Sequence, residues 1–165
     1  MTCLDKITFH WSGGASFPCA EDIKHYHFII DSNGILYKGL YTPEDNLNCT
    51  DGKYAQHCGG GNTGNIGIAF CGCYVRNKED VRNSKYPLTR IQLERGFELG
   101  AQLCKKYNIK IDNVLTHYEF GKLHPKSSSA GKIDITYLAP FPLITAEQCG
   151  SFIRSKVKWY LQKIS

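Results

Sequence analysis

Residues Asn65 to Tyr74 (Asn-Ile-Gly-Ile-Ala-Phe-Cys-Gly-Cys-Tyr) form a run with almost no polar side chain. Apolar residues at both odd and even positions mark a central strand buried on both faces, and such a strand needs covering layers on each side of its sheet. The chain has 165 residues, a length that suits one domain, residues 1–165, built around one core. Two further features supply the layers. Thr89-Arg-Ile-Gln92 is a capping box, and Leu93, Phe97, Gly100, Ala101, Cys104 and Tyr107 follow on one helical face. Thr145-Ala-Glu-Gln148 opens a second helix, with Cys149, Phe152, Ile153, Val157, Tyr160 and Ile164 turned inward. The expected fold is α/β, a single domain with a central mixed β-sheet flanked by α-helices.

Shorter strands are expected at Lys6–His10, His25–Ile30, Ile35–Gly39 and Asn113–His117. Asp31-Ser-Asn-Gly34 joins the second and third as a turn, because Asn and Gly tolerate positive φ. A calcium loop beginning there would need Glu where Thr42 stands. Cys58-Gly-Gly-Gly-Asn-Thr-Gly64 is glycine-rich, but it lacks the Lys-Ser/Thr ending of a phosphate-binding loop. Tyr118 to Pro142 has little periodicity and many Gly, Pro, Ser and Lys residues, as site-forming segments often do.

Composition narrows the partners without choosing one. Twenty Lys+Arg against 15 Asp+Glu give a formal charge of +5, which favours an anionic partner such as wall polymer, nucleic acid or a membrane surface. No apolar run is long enough to span a membrane, and Met1-Thr-Cys-Leu-Asp-Lys6 does not read as a secretory signal. The eight cysteines (Cys3, Cys19, Cys49, Cys58, Cys71, Cys73, Cys104 and Cys149) contain no CxxC pair. Most are expected to be small buried apolar residues kept reduced, with one or two bridges after release from a cell left open.

His10 and His117 each end an expected strand, and Lys132-Ile-Asp134 places a cation and a carboxylate two residues apart. In an extended segment these two point the same way. Two imidazoles and one carboxylate are a common catalytic zinc set with a position left for water. Spacing alone is a weak signal and favours histidines satisfied in the core or at the surface. His25-Tyr26-His27 competes, since His25 and His27 would share one face of a strand.

Four segments together resemble the zinc-dependent N-acetylmuramoyl-L-alanine amidases shared by short phage endolysins and animal peptidoglycan-recognition proteins. They are Ile7-Thr-Phe-His10-Trp-Ser; His25-Tyr26-His-Phe-Ile-Ile-Asp-Ser-Asn-Gly34; His57-Cys-Gly-Gly-Gly-Asn-Thr-Gly-Asn-Ile-Gly-Ile68; and Thr116-His117-Tyr-Glu joined to Lys132-Ile-Asp134. They occur in the family's order. The resemblance implies one Zn2+ per chain on His10, His117 and Asp134, the last at a position where some relatives carry Cys. It implies that Lys132 and Tyr26 are catalytic and that His57, Asn62 and Thr63 line the groove for substrate. The segment from His10 to Tyr26 is shorter than in typical relatives, with Ala20 to Lys24 supplying about one turn.

The implied function is a peptidoglycan hydrolase, an endolysin cleaving the amide between N-acetylmuramic acid and L-alanine. The alternatives are a non-catalytic peptidoglycan-recognition module or a regulatory binder. The implied partner is peptidoglycan, with no nucleic acid, no stable membrane insertion and a monomeric chain; host polymerase binding stays open. The implied location is the host bacterial cytoplasm, then the periplasm and cell wall at lysis.

Overall fold

A computed structural model describes residues 2–77 and 79–165. The alternation in Lys6-Ile-Thr-Phe-His-Trp gives the sheet two different sides. In strand β1 (Lys6–Trp11), Ile7, Phe9 and Trp11 join the hydrophobic core. Thr8 and His10, also buried, point to the opposite face by the period of two. Strand β4 (Asn65–Phe70) is buried at every position. Its Ile66, Ile68 and Phe70 enter the same core, and Asn65, Gly67 and Ala69 turn to the other side.

β4 occupies the middle of a five-stranded sheet of order β3-β2-β4-β1-β5. β1 runs parallel to β4 and to β5 (Val114–Thr116). β2 (Phe28–Ile30) runs parallel to β4 and pairs antiparallel with β3 (Leu36–Lys38). The sheet is therefore mixed, as the sequence predicts.

Helices α2 (Arg90–Tyr107) and α4 (Cys149–Ile164) cover the apolar face. α2 starts at the Thr89 capping box. Gln92 serves twice there: its Oε1 accepts from the Thr89 N–H, and its Nε2 donates to the carbonyls of Ile30 and Cys71 at the sheet's end. Close packing is set at Gly96, where a Cβ would sit 2.3 Å from the Phe70 ring. The opposite face is polar and lies under the segment 43–64. Asn46, fully buried, ties that segment together: its Oδ1 accepts from the Ala55 N–H and its Nδ2 donates to the carbonyls of Ala55 and Asn62.

Several expected boundaries move: β1 runs on to Trp11, and β3 is Leu36–Lys38 rather than 35–39. His25–Ile30 is not one strand: His25 ends helix α1 (Ala20–His25), Tyr26 caps it, and β2 begins at Phe28. Asp22 accepts from the Cys19 N–H, Glu21 and Asp22 occupy the first turn, and Lys24 and His25 the last, which suits the helix dipole. The strand at 113–117 stops at Thr116, because Thr116 caps helix α3 (His117–Leu123) in a box with Glu119. The first part of 118–142 is thus helical. β4 ends at Phe70 rather than Tyr74, since Gly72 and Cys73 take positive φ. The turn after β2 is held by Asp31, whose Oδ1 accepts from the N–H groups of Asn33 and Ile35, and only Gly34 has positive φ.

All eight cysteines are free thiols. Burial pushes Cys58, Cys104 and Cys149 up to about 11 and Cys71 and Cys73 up to about 12. Among the described residues, no helix is long and apolar enough to cross a membrane.

Candidate metal centre

Three distant stretches of chain meet at the carboxyl end of β1. His10 reaches the polar face because its neighbours Phe9 and Trp11 are committed to the core. His117 is the first residue of α3, set there by the Thr116 cap. Glu119 shares its carboxylate between that cap and Arg154 of α4, at 2.8 and 2.9 Å, so the start of α3 is fixed to the main helical layer. Asp134 returns to α3 through its carbonyl, which accepts from the Tyr118 N–H at 2.6 Å.

The side chains converge. His10 Nδ1 lies 3.1 Å from His117 Nδ1 and 2.9 Å from Asp134 Oδ2, and His117 Nδ1 lies 3.2 Å from the same oxygen. Two ligands on a tetrahedral zinc, with bonds of 2.0–2.1 Å, stand about 3.3 Å apart. The observed spacing matches that value without rearrangement. The donor chemistry also fits: two imidazoles and one carboxylate, all buried, with exposures of 0, 6 and 9%. Burial holds His10 below the usual imidazole range, against the raising effect of Asp134, so it stays neutral as a ligand must. Burial pushes the Asp134 carboxyl up, but the two adjacent histidines outweigh it and the group lies below the carboxylate range.

A cavity of ≈ 420 Å³ opens beside this cluster, lined by Trp11, Tyr26, His57, His117, Lys132 and Asp134 among others. Lys132 is exposed at its rim. The Tyr26 ring stands 5.1 Å from the His10 ring. Burial, then the nearby Asp134 carboxylate, raises its phenol well above the ordinary tyrosine range.

His117, Asp134, Lys132 and Tyr26 therefore line one cavity, and His10 lies buried behind them, in contact with His117 and Asp134. His57 also borders it, but as a buried residue whose ring nitrogens contact His10 Nε2 and the Asn65 carbonyl, both at 3.0 Å. Asn62 and Thr63 do not reach it; they line a different cavity with Lys6, Tyr54 and Phe120. Asn62 shapes the glycine-rich loop instead, its Oδ1 accepting from the N–H groups of His57 and Cys58. The rival pair is separated: His25 is half-exposed on α1, and His27 is buried against Asn46.

Sequence reasoning missed Ser129, which is fully buried with its Oγ 2.9 Å from His117 Nε2. Nothing in Ser127-Ser-Ser129 distinguishes the third serine. The α3 cap was detectable, since Thr116-His-Tyr-Glu119 carries the same box as Thr89 to Gln92.

Comparison with known proteins agrees with this arrangement. The family model described as N-acetylmuramoyl-L-alanine amidase (Amidase_2) matches residues 3–132. Among solved structures, the chain is similar to the N-acetylmuramoyl-L-alanine amidase LysC from Clostridium intestinale, with 19% identity and a TM-score of 0.57 over 93% of this chain and 85% of that one. It is similar to the PlyG catalytic domain, with 20% identity and a TM-score of 0.56 over 98% and 85%. It is also similar to the E. coli amidase AmiD, with 14% identity and a TM-score of 0.58 over 93% and 57%. A search of curated proteins gives no match. At these identities the solved structures establish the fold, and the match over most of the chain establishes that the protein belongs to the N-acetylmuramoyl-L-alanine amidase family.

Proposed function

We propose that residues 1–165 act as one zinc-dependent amidase domain, an endolysin that cleaves the amide joining N-acetylmuramic acid to the L-alanine of the stem peptide. The observation that carries this reading is the convergence of His10, His117 and Asp134 at zinc-ligand spacing beside an open cavity. The AmiD structure, named for its complex with the substrate anhydro-N-acetylmuramic acid-L-Ala-D-gamma-Glu-L-Lys, supports the substrate class. The packing of α4 against α2 in one core supports a domain extending beyond residue 132.

Zinc at this centre would supply Lewis acidity, polarising the scissile carbonyl and lowering the pKa of a water from ~15.7 towards ~7. The chain's own groups do the rest. Lys132, two residues from Asp134 and open to the cavity, places an ammonium where the attacked carbonyl oxygen gains negative charge. Tyr26 keeps its proton through the neutral range, so its hydroxyl acts as a donor that orients water or the oxyanion. Trp11 and His57 wall the cavity and limit the approach of bulk water. The chain acts as a monomer on peptidoglycan, waiting in the host cytoplasm until release to the wall.

The test is digestion of purified peptidoglycan with zinc present, scored by new N-terminal L-alanine. Wild type should release it and hold one zinc per chain. His10→Ala, His117→Ala and Asp134→Ala should each lose both. Cleavage within the stem peptide, or binding of wall fragments without turnover, would replace the reading.

A further inference from the structure

The glycine-rich loop lies behind the metal centre, and its surroundings hold the far nitrogens of both metal-facing histidines. His57 Nε2 is 3.0 Å from the Asn65 carbonyl. A carbonyl only accepts, so His57 Nε2 carries the proton. A neutral imidazole has one N–H, which leaves His57 Nδ1 as an acceptor. His10 Nε2, 3.0 Å away, must then be the donor. His10 is thereby fixed as the Nε2–H tautomer, with a bare lone pair on Nδ1.

The same logic applies to the second ligand through a different residue. Ser129 Oγ donates its single hydrogen to the Gly59 carbonyl at 2.7 Å. Towards His117 Nε2, at 2.9 Å, it can only accept. His117 Nε2 therefore also carries a proton, and in the neutral form that a metal takes, Nδ1 is the atom left to bind. With both rings in that neutral form, two Nδ1 lone pairs and the Asp134 carboxylate converge, a set that a divalent cation satisfies.

The loop is built to hold these partners still. Asn62 Oδ1 receives the N–H groups of His57 and Cys58, and Asn65 Nδ2 donates to the Gly61 carbonyl. The His57 ring lies flat on β4 at Gly67, where a Cβ would come within 2.6 Å of its Cγ. No larger residue at 67 leaves room for the ring.

We propose that His57 and Ser129 are positioning residues that set the tautomer of His10 and His117, so that each presents Nδ1 to the shared centre. The glycine-rich loop is their scaffold. The proposal rests on the zinc reading for its purpose but not for its test. Outer partners of metal-bound histidines typically contribute 10–100-fold in metal affinity.

The experiment uses the full chain, 15N-labelled and metal-free, with ring nitrogens read from long-range proton–nitrogen spectra. Zinc affinity is then measured by competition with a chelator. Wild type should show Nε2 protonated in both His10 and His117. His57→Phe, which keeps a flat ring over Gly67, should weaken zinc by roughly 10–100-fold and mix the tautomers of His10 alone. Ser129→Ala should do the same to His117 alone. A wild-type ring protonated at Nδ1 and bare at Nε2 overturns the proposal, and that spectrum needs no variant to fold. Wild-type zinc affinity with unchanged tautomers in both variants also overturns it. A wild-type chain that binds no zinc, yet shows both tautomers and loses each in its variant, sinks the zinc reading and supports the positioning roles.

Discussion

Acidification should strip stability from this protein through His27, well below the sheet surface. The His27 ring is 1% exposed and uses both nitrogens: Nε2 donates to Asn46 Oδ1, and Nδ1 accepts from the Gly67 N–H, each at 2.9 Å. Protonation would remove that acceptor, orphan the Gly67 N–H and leave a buried charge that the attraction of Asp45 and Glu44 does not offset. Burial accordingly lowers the imidazole from 6.5 to about 4, outweighing the raising effect of Asn46. The unfolded chain takes up a proton near 6.5 and the folded chain only near 4, so the unfolded state binds more protons between them and stability is lost as the pH drops through that window. At about 1.4 kcal/mol per tenfold change in proton affinity, the full loss is about 3 kcal/mol. Urea unfolding at pH 7, 5.5 and 4, with chelator throughout, measures it. His27→Gln, unable to titrate, should be weaker at pH 7 yet lose about 3 kcal/mol less on going to pH 4. Wild-type and variant curves running parallel from pH 6.5 to 4 would refute the assignment, whatever their vertical offset.

Lys132→Ala should lower amidase turnover by roughly 100–1000-fold, as removal of an oxyanion donor does elsewhere, while zinc content per chain stays at one; full activity would remove its role. Tyr26→Phe should keep zinc and lose roughly 100-fold in kcat, and the wild-type rate should show no alkaline limb from this phenol below pH 10, because its proton is held more tightly than usual. Gly96→Ala should cost about 1–3 kcal/mol in urea unfolding, since its methyl would press on the Phe70 ring. No loss there would mean that α2 can lift off the sheet freely.

The central strand and both long helices were legible because their signals are local. Asn65 to Phe70 is apolar at every position, and the boxes at Thr89 and Thr145 precede stripes of helical period. The ends were less legible. His25 belongs to a six-residue helix whose start depends on Asp22 reaching back to Cys19, a tertiary choice that β-rich His-Tyr-His-Phe-Ile-Ile conceals. His117 looked like a strand end because Val114-Leu-Thr116 is one, although the capping pattern with Glu119 was there to read. Ligand candidates could be named from residue type and resemblance, but not their orientation. That depends on Ser129, Asn65 and Gly59, which meet the histidines only after folding and carry no sequence mark of their own.

The parity of β1 joins the core to the site. Ile7, Phe9 and Trp11 anchor one face under α2 and α4, and this fixes His10 on the other face with no freedom to slip. A one-residue shift in register would bury His10 among the helices and turn Phe9 to the cavity. Thr8 strengthens the same register from the polar side: its Oγ1 donates to Asn65 Oδ1 at 3.0 Å, and Asn65 in turn holds the Gly61 carbonyl and, through its own carbonyl, His57. The apolar packing and the polar chain therefore specify one arrangement from opposite faces of one strand. A substitution that loosens Phe9 in the core should reach the metal centre as a displaced imidazole rather than only as lost stability, because nothing flexible lies between them.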